Sequence, residues 1–295
     1  MEFDAVFEPI SGEMQLVERE LKSQLGNINY SHAHNPAQLG YLEKTVTHLF
    51  GKAGKRLRPA LVILSAKSVA GTANSINLAR LAAAVELLHS ASLVHDDVID
   101  SEKYRRQQIS LNQKYGNQIA VLVGDLLYTQ SFSLLTELSL PLREQKTELF
   151  RIFCNTTQCM CLAEIKEQRL VNEKIDPTIS EYLEILENKT AVLMSACCRS
   201  GGMLVSADEP TLQALANYGL NFGLAYQLID DHIDGDAILC GEMDMVERAR
   251  EYVSLARESL TCLEDNETKR GFSDLCELLI DNVKAPSRYR EQALR

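Results

Sequence analysis

The stretch Glu86-Leu87-Leu88-His89-Ser90-Ala91-Ser92-Leu93-Val94-His95-Asp96-Asp97-Val98-Ile99-Asp100 runs from an apolar segment straight into three carboxylates. Just upstream, Ile76, Leu78, Leu81, Ala82, Val85 and Leu88 recur at the spacing of one helical face, so Asn77–Leu93 is predicted as a helix. On that helix Asp96 and Asp100 differ by roughly 40° and share a side, with Asp97 flanking them. Like charges so placed repel unless a cation sits between them. Oxygen ligands at this spacing suit Mg²⁺, which takes a few carboxylates and completes its shell with water and phosphate oxygens. Taken alone, such a cluster reads at least as readily as a solvated acidic helix end.

Further motifs change that balance. Arg105 and Arg106 follow the cluster closely, and paired guanidinium forks beside a metal-binding acid group match a diphosphate. The pattern returns in Tyr226-Gln227-Leu228-Ile229-Asp230-Asp231-His232-Ile233-Asp234, again after an apolar run of helical character. Facing each other across a bundle, the two clusters would enclose several metal ions around one diphosphate. His232 is expected to be an exposed helix residue. A third element, Gly51-Lys52-Ala53-Gly54-Lys55-Arg56-Leu57-Arg58-Pro59, allows close backbone approach and sets Lys55 and Arg58 three apart. It reads as a second phosphate site or as an ordinary basic turn before a helix. His89, seven residues before Asp96, can reach the same cavity or pack in the core.

The rest of the chain is consistent with a helical scaffold. Long proline-free stretches are rich in Leu, Ala, Glu, Lys and Arg, all strong helix formers. Sustained β-branched alternation and Asn-Gly pairs are missing, so no strand is predicted. Pro177 and Pro210 are expected to mark turns that start helices. The prediction is an all-α, single-domain bundle of ten or more helices spanning residues 1–295. A net charge of −11 argues against a nucleic-acid surface, which needs clustered Lys and Arg. The eight cysteines contain no Cys-x-x-Cys pair, so zinc is not expected and reduced, buried thiols are. No secretory signal and no apolar run near the length of a membrane span is recognised, which points to the cytoplasm.

Taken together, Gly54 to Pro59, Leu88 to Asp100, Arg105-Arg106, Gly124-Asp125, Lys189-Thr190 and Tyr226 to Asp234 resemble the trans-isoprenyl diphosphate synthase, or polyprenyl synthetase, family. The resemblance implies an isoprenoid-synthase fold with a central cavity, usually as a homodimer. It implies head-to-tail condensation of isopentenyl diphosphate onto an allylic diphosphate. Carried over by position, Asp96, Asp100 and Asp230 would bind three Mg²⁺ ions, supported by Asp97, Asp231 and Asp234. Arg105, Lys189 and Gln227 would hold the allylic diphosphate. Lys55, Arg58, His89 and Arg106 would grip isopentenyl diphosphate, and Thr190 would sit beside the reacting carbons. A class I terpene cyclase is disfavoured because the second cluster is again Asp-Asp-x-x-Asp. A non-catalytic subunit of a heteromeric synthase is the remaining alternative, with all six aspartates against it. The chain departs from the family pattern after about residue 236, where a lysine-containing loop is expected and the next lysine is Lys269.

One helical turn before Asp96, Ala91 and Ser92 are small, with Leu88 a further turn back. Small side chains there leave a hydrocarbon tunnel open, which favours a long-chain, quinone-type product over a farnesyl or geranylgeranyl one. Ala91→Phe is expected to shorten the product, and an unchanged product length on chromatography would count against the steric argument.

Overall fold

A computed structural model describes residues 3–26, 36–52, 54–71, 73–140, 143–235 and 243–284. The helices are α1 (Phe3–Phe7), α2 (Ser11–Gly26), α3 (Pro36–Phe50), α4 (Leu57–Ala70), α5 (Ser75–Ile99), α6 (Leu111–Tyr115) and α7 (Asn117–Thr136). They continue with α8 (Arg143–Glu173), α9 (Ile179–Leu186), α10 (Val192–Leu204), α11 (Glu209–Asp234), α12 (Met245–Ser259) and α13 (Glu267–Lys284). A 3₁₀ turn covers Glu8–Ile10 and a π-helical turn covers Glu187–Ala191. The caps follow local chemistry. Asp208 accepts from the Thr211 amide at 3.0 Å with Pro210 in the first turn of α11, while Thr178 and Glu181 form a capping box on α9, just after Pro177.

The described residues correct four expectations. A short antiparallel hairpin, β1 (Tyr104–Arg105) with β2 (Gln108–Ile109), interrupts the all-helical pattern, so Arg105 and Arg106 are not on a helix. Ile76 is 64% exposed, and α5 is not amphipathic: from Asn77 to Leu88 nearly every side chain is buried. Cys161 and Cys262 are exposed, whereas Cys197, Cys198 and Cys276 are buried. Finally, α7 is long and apolar enough to cross a membrane by composition, contrary to the reading above. It packs against α5, burying Ala120, Val123, Gly124, Leu127, Leu134 and Leu135, as a core helix does. Cys240 and the departure after residue 236 fall among positions 236–242, outside the described residues.

The chain divides into two compact units. One comprises Gly12–Pro59 and Ser75–Ser139, centred on α5 and α7, where Ser131 Oγ donates to the Ala84 carbonyl at 2.7 Å. The other comprises Met1–Ser11, Ala60–Asn74 and Leu140–Arg295. There α10, α11 and α12 pack together, and Tyr218 stacks on Phe222 with ring centroids 5.7 Å apart. Helix α11 presents Gly219, Gly223, Gln227 and Asp231 on successive turns. The two glycines permit a very close approach: a Cβ on Gly219 would lie 2.5 Å from the Met194 carbonyl oxygen, and one on Gly223 2.6 Å from Ala191 Cα. Backbone cannot yield as a flexible side chain can. Gly219→Ala is therefore expected to destabilise the protein by about 1–3 kcal/mol through overpacking, read as a fall in Tm. An unchanged Tm would mean that α10 and α11 separate freely.

Candidate active site

The first group of predicted residues lies in the unit built on α5 and α7. Buried Glu86, 2% exposed, is the lone acid in an apolar stretch of α5, and such a residue needs a partner. That partner is Arg56, whose Nη1 donates to Glu86 at 2.5 Å while its Nε donates to Glu18 at 2.6 Å. Burial alone would lower the Arg56 pKa, but the two carboxylates raise it, so the guanidinium stays charged. Arg56 holds a left-handed backbone, φ 53°, and this anchor fixes the loop between half-buried Lys55 and Arg58.

Arg58 Nη1 donates to His89 Nε2 at 2.9 Å. Because arginine can only donate, the imidazole accepts through Nε2 and carries its proton on Nδ1. His89 titrates well below the ordinary imidazole range, first through burial and then through the guanidinium groups of Arg58, Arg106, Arg105 and Arg56. Arg58 contacts the ring directly, and the positive charges of Arg106, Arg105 and Arg56 add to the same effect.

The hairpin supplies two of them. Arg106 and Gln107 occupy its two-residue turn with φ 51° and 58°, the left-handed pattern of a type I′ turn. Gln108 Nε2 donates to the His48 carbonyl at 2.8 Å, and His48 Nε2 lies 2.8 Å from the Ile109 carbonyl, tying the hairpin to α3. The guanidinium of Arg106 crosses the basic loop so closely that a Cβ on Gly54 would lie 2.4 Å from its Nη2. Arg105 Nε pairs with Asp97 at 2.5 Å. Asp97 is 2% exposed, and burial raises its pKa more than Arg105 lowers it. Its carboxylate is therefore committed to the hairpin, a role the sequence did not reveal. Asp96 is half-buried and Asp100 exposed at the end of α5. A small cavity lies here, lined by His48, Lys52, Ser90, Leu93, Val94, Asp97, Arg105 and Arg106 among others.

The second group lies in the other unit. The π-turn Glu187–Ala191 inserts an extra residue into the helical path and carries Lys189 and Thr190, in a device often found at functional positions. Thr190 Oγ1 lies 2.9 Å from Gln227 Oε1, and Gln227 Nε2 donates to Asp231 at 2.8 Å. Tyr182 donates its hydroxyl to the other oxygen of Asp231 at 2.5 Å. Lys189 is paired with Glu164 at 2.8 Å and with Glu167. Burial lowers its pKa, yet the two glutamates outweigh this and keep the ammonium group firmly charged. These side chains, excepting Glu164, line a cavity of about 170 Å³. Asp230 is half-buried, while Asp234 and His232 are exposed. Sequence reading missed Arg56, Glu86, Tyr182, Glu164 and Glu167; of these only Glu86, an acid inside an apolar run, carried a local signal.

No group of three His, Cys, Asp or Glu side chains among the described residues is arranged to hold a metal by itself. That agrees with the donor chemistry. In each cluster one aspartate is engaged by neutral or cationic donors, Asp97 by Arg105 and Asp231 by Tyr182 and Gln227, while Asp96 with Asp100 and Asp230 with Asp234 stand four residues apart at a helix end. Such pairs fit a hard cation whose shell is completed by water and phosphate oxygens.

Comparison with known proteins defines the class. The fold matches that of a polyprenyl synthase from Caulobacter crescentus CB15, crystallised with calcium and isoprenyl diphosphate, with a TM-score of 0.80 and 22% identity over 95% of this chain and 97% of that one. The polyprenyl synthetase family model matches residues 40–237, and the chain belongs to that family. It is 33% identical to a decaprenyl-diphosphate synthase of Dictyostelium discoideum, over 79% of this chain and 52% of that protein. It is 34% identical to a geranylgeranyl diphosphate synthase of Saccharolobus solfataricus, over 64% of this chain and 57% of that protein. The chain thus spans little more than half the length of these curated relatives.

The neutral His89 has a consequence for stability. Its folded pKa lies below that of the unfolded chain, so as pH falls below about 6.5 the unfolded state takes up the proton first and stability declines. The slope from this one residue is at most about 1.4 kcal/mol per pH unit. In His89→Gln, the dependence of Tm on pH between about 6.5 and 5 should flatten; an unaltered profile would mean the ring is protonated in the fold.

Proposed function

We propose that this protein is a prenyltransferase that condenses isopentenyl diphosphate head-to-tail with an allylic diphosphate to make a long-chain all-trans-polyprenyl diphosphate. The observation that carries the reading is the basic group beside the carboxylates that end α5: Arg58 hydrogen-bonded to buried His89, Arg106 folded over Gly54 of the basic loop, and Arg105 set on Asp97. Concentrated guanidinium charge with a neutral hydrogen-bonding centre suits a polyanion rather than a single carboxylate. Kinship with decaprenyl- and geranylgeranyl-diphosphate synthases supports the substrate class.

In this reading Lys55, Arg58, His89 and Arg106 bind isopentenyl diphosphate, and Arg105, Lys189 and Gln227 bind the allylic diphosphate. Asp96, Asp100 and Asp230 would hold Mg²⁺, supported by Asp97, Asp231 and Asp234, with Asp97 acting through Arg105 and Asp231 through Gln227. When bound there, Mg²⁺ would supply charge neutralisation for the departing diphosphate. Arg105 and Lys189 add donors that strengthen as charge develops on the leaving oxygen. The isopentenyl double bond attacks the allylic cation, forming the new carbon–carbon bond, and proton loss to the released diphosphate restores an alkene. Thr190, fixed by Gln227, stands beside the reacting carbons, and exclusion of water protects the cation. Action as a homodimer belongs to the same proposal.

A shorter product is the second reading, favoured by the geranylgeranyl-diphosphate synthase relative and by the complete burial of Leu88 and Ala91. Labelled isopentenyl diphosphate, an allylic primer and Mg²⁺ test both readings at once. Incorporation into products longer than C20 is expected; products stopping at C15 or C20 support the shorter-chain reading, and no incorporation removes both. Arg106→Gln should raise the KM for isopentenyl diphosphate about tenfold or more, the loss of a charge-assisted hydrogen bond, with a smaller effect on the allylic substrate.

A further inference from the structure

Lys189 is the cation through which the π-turn would reach a diphosphate, yet two acids already hold it. Glu164 and Glu167 stand one turn apart on α8 and both approach its ammonium group, Glu164 at 2.8 Å. The exposures of the three side chains differ: 12% for Glu164, 21% for Glu167 and 30% for Lys189. Two negative charges against one positive leave the group net negative, and Glu167 alone of the two glutamates lines the cavity shared with Thr190, Gln227 and Asp231. An anion entering that cavity therefore meets a lysine whose charge is more than compensated, with one of the compensating carboxylates in the space it must occupy.

We propose that Glu164 and Glu167 are positioning residues for Lys189: Glu164 anchors the ammonium group, and Glu167 latches it and yields it to an incoming diphosphate. The inference rests on reading this cavity as a diphosphate site. Binding then includes a small rearrangement in which the lysine exchanges one carboxylate oxygen for a phosphate oxygen. Glu164, the more enclosed acid, keeps the lysine aimed throughout.

Calorimetric titration of the whole protein with inorganic pyrophosphate in the presence of Mg²⁺ is the test. Glu167→Gln should bind about fivefold tighter than wild type, the scale of one partly exposed ion pair, and Lys189→Gln should bind more weakly than wild type. In the Lys189→Gln background the gain from Glu167→Gln should vanish, because the latch has nothing to hold. Glu164→Gln should weaken binding, and Glu167→Asp, should Glu167→Gln fold poorly, should bind more tightly than wild type by a smaller factor. In steady-state assays Glu167→Gln should lower the KM for the allylic substrate and leave that for isopentenyl diphosphate unchanged. The proposal is overturned if Glu167→Gln binds no tighter, or if its gain persists undiminished without Lys189, which would be simple repulsion at a distance. Absence of isoprenyl incorporation with the Lys189-dependent gain present removes the synthase reading and leaves the latch. Incorporation without that gain removes the latch alone, and a wild type that binds no pyrophosphate removes both.

Discussion

The contact between Arg56 and Glu86 organises the basic side of the molecule. A carboxylate buried in an apolar helix is costly to leave alone, and an arginine in a left-handed backbone conformation is costly to form; each offsets the other only when they meet. Their pairing ties the loop carrying Lys55 and Arg58 to the middle of α5, two turns and more before the aspartates at its end. From that point the spacing of α5 itself delivers His89 to Arg58 and Asp97 to Arg105. The hairpin then closes over the loop through Arg106. A cluster of mutually repelling cations is held in place by the acids beneath it.

The same logic recurs in the other unit with a different backbone device. There the close approach of α11, permitted by Gly219 and Gly223, sets Gln227 against Thr190, and Tyr182 fixes Asp231. The π-turn turns Lys189 toward α8, where two glutamates receive it. In both units carboxylates hold the cations in place: Glu18 and Glu86 on Arg56, Asp97 on Arg105, and Glu164 with Glu167 on Lys189.

How far this could be read from sequence depended on whether the partners were neighbours along the chain. The aspartate clusters, the basic loop and the pairs Arg105-Arg106 and Lys189-Thr190 are short and contiguous, and the helices around them declare themselves through composition. Arg56 with Glu86, Lys189 with Glu164 and Tyr182 with Asp231 join residues far apart, and no periodicity marks such pairs. The burial of α5 on every side was invisible to a one-face pattern, since a helix enclosed by others shows no polar stripe. The hairpin escaped for a sharper reason. Its turn has Arg106-Gln107 where Asn-Gly would have announced it.

That substitution has a cost of its own. Two non-glycine residues in left-handed geometry weaken the turn, and the most stable sequence for this backbone would replace Arg106 and Gln107 with the residues such turns prefer. The replacement would also delete a cation from the convergence on His89. Under the proposed function, selection acting on heat resistance alone would thus erode ligand binding at this one corner, and the hairpin tip becomes a place where thermal robustness and affinity trade against each other.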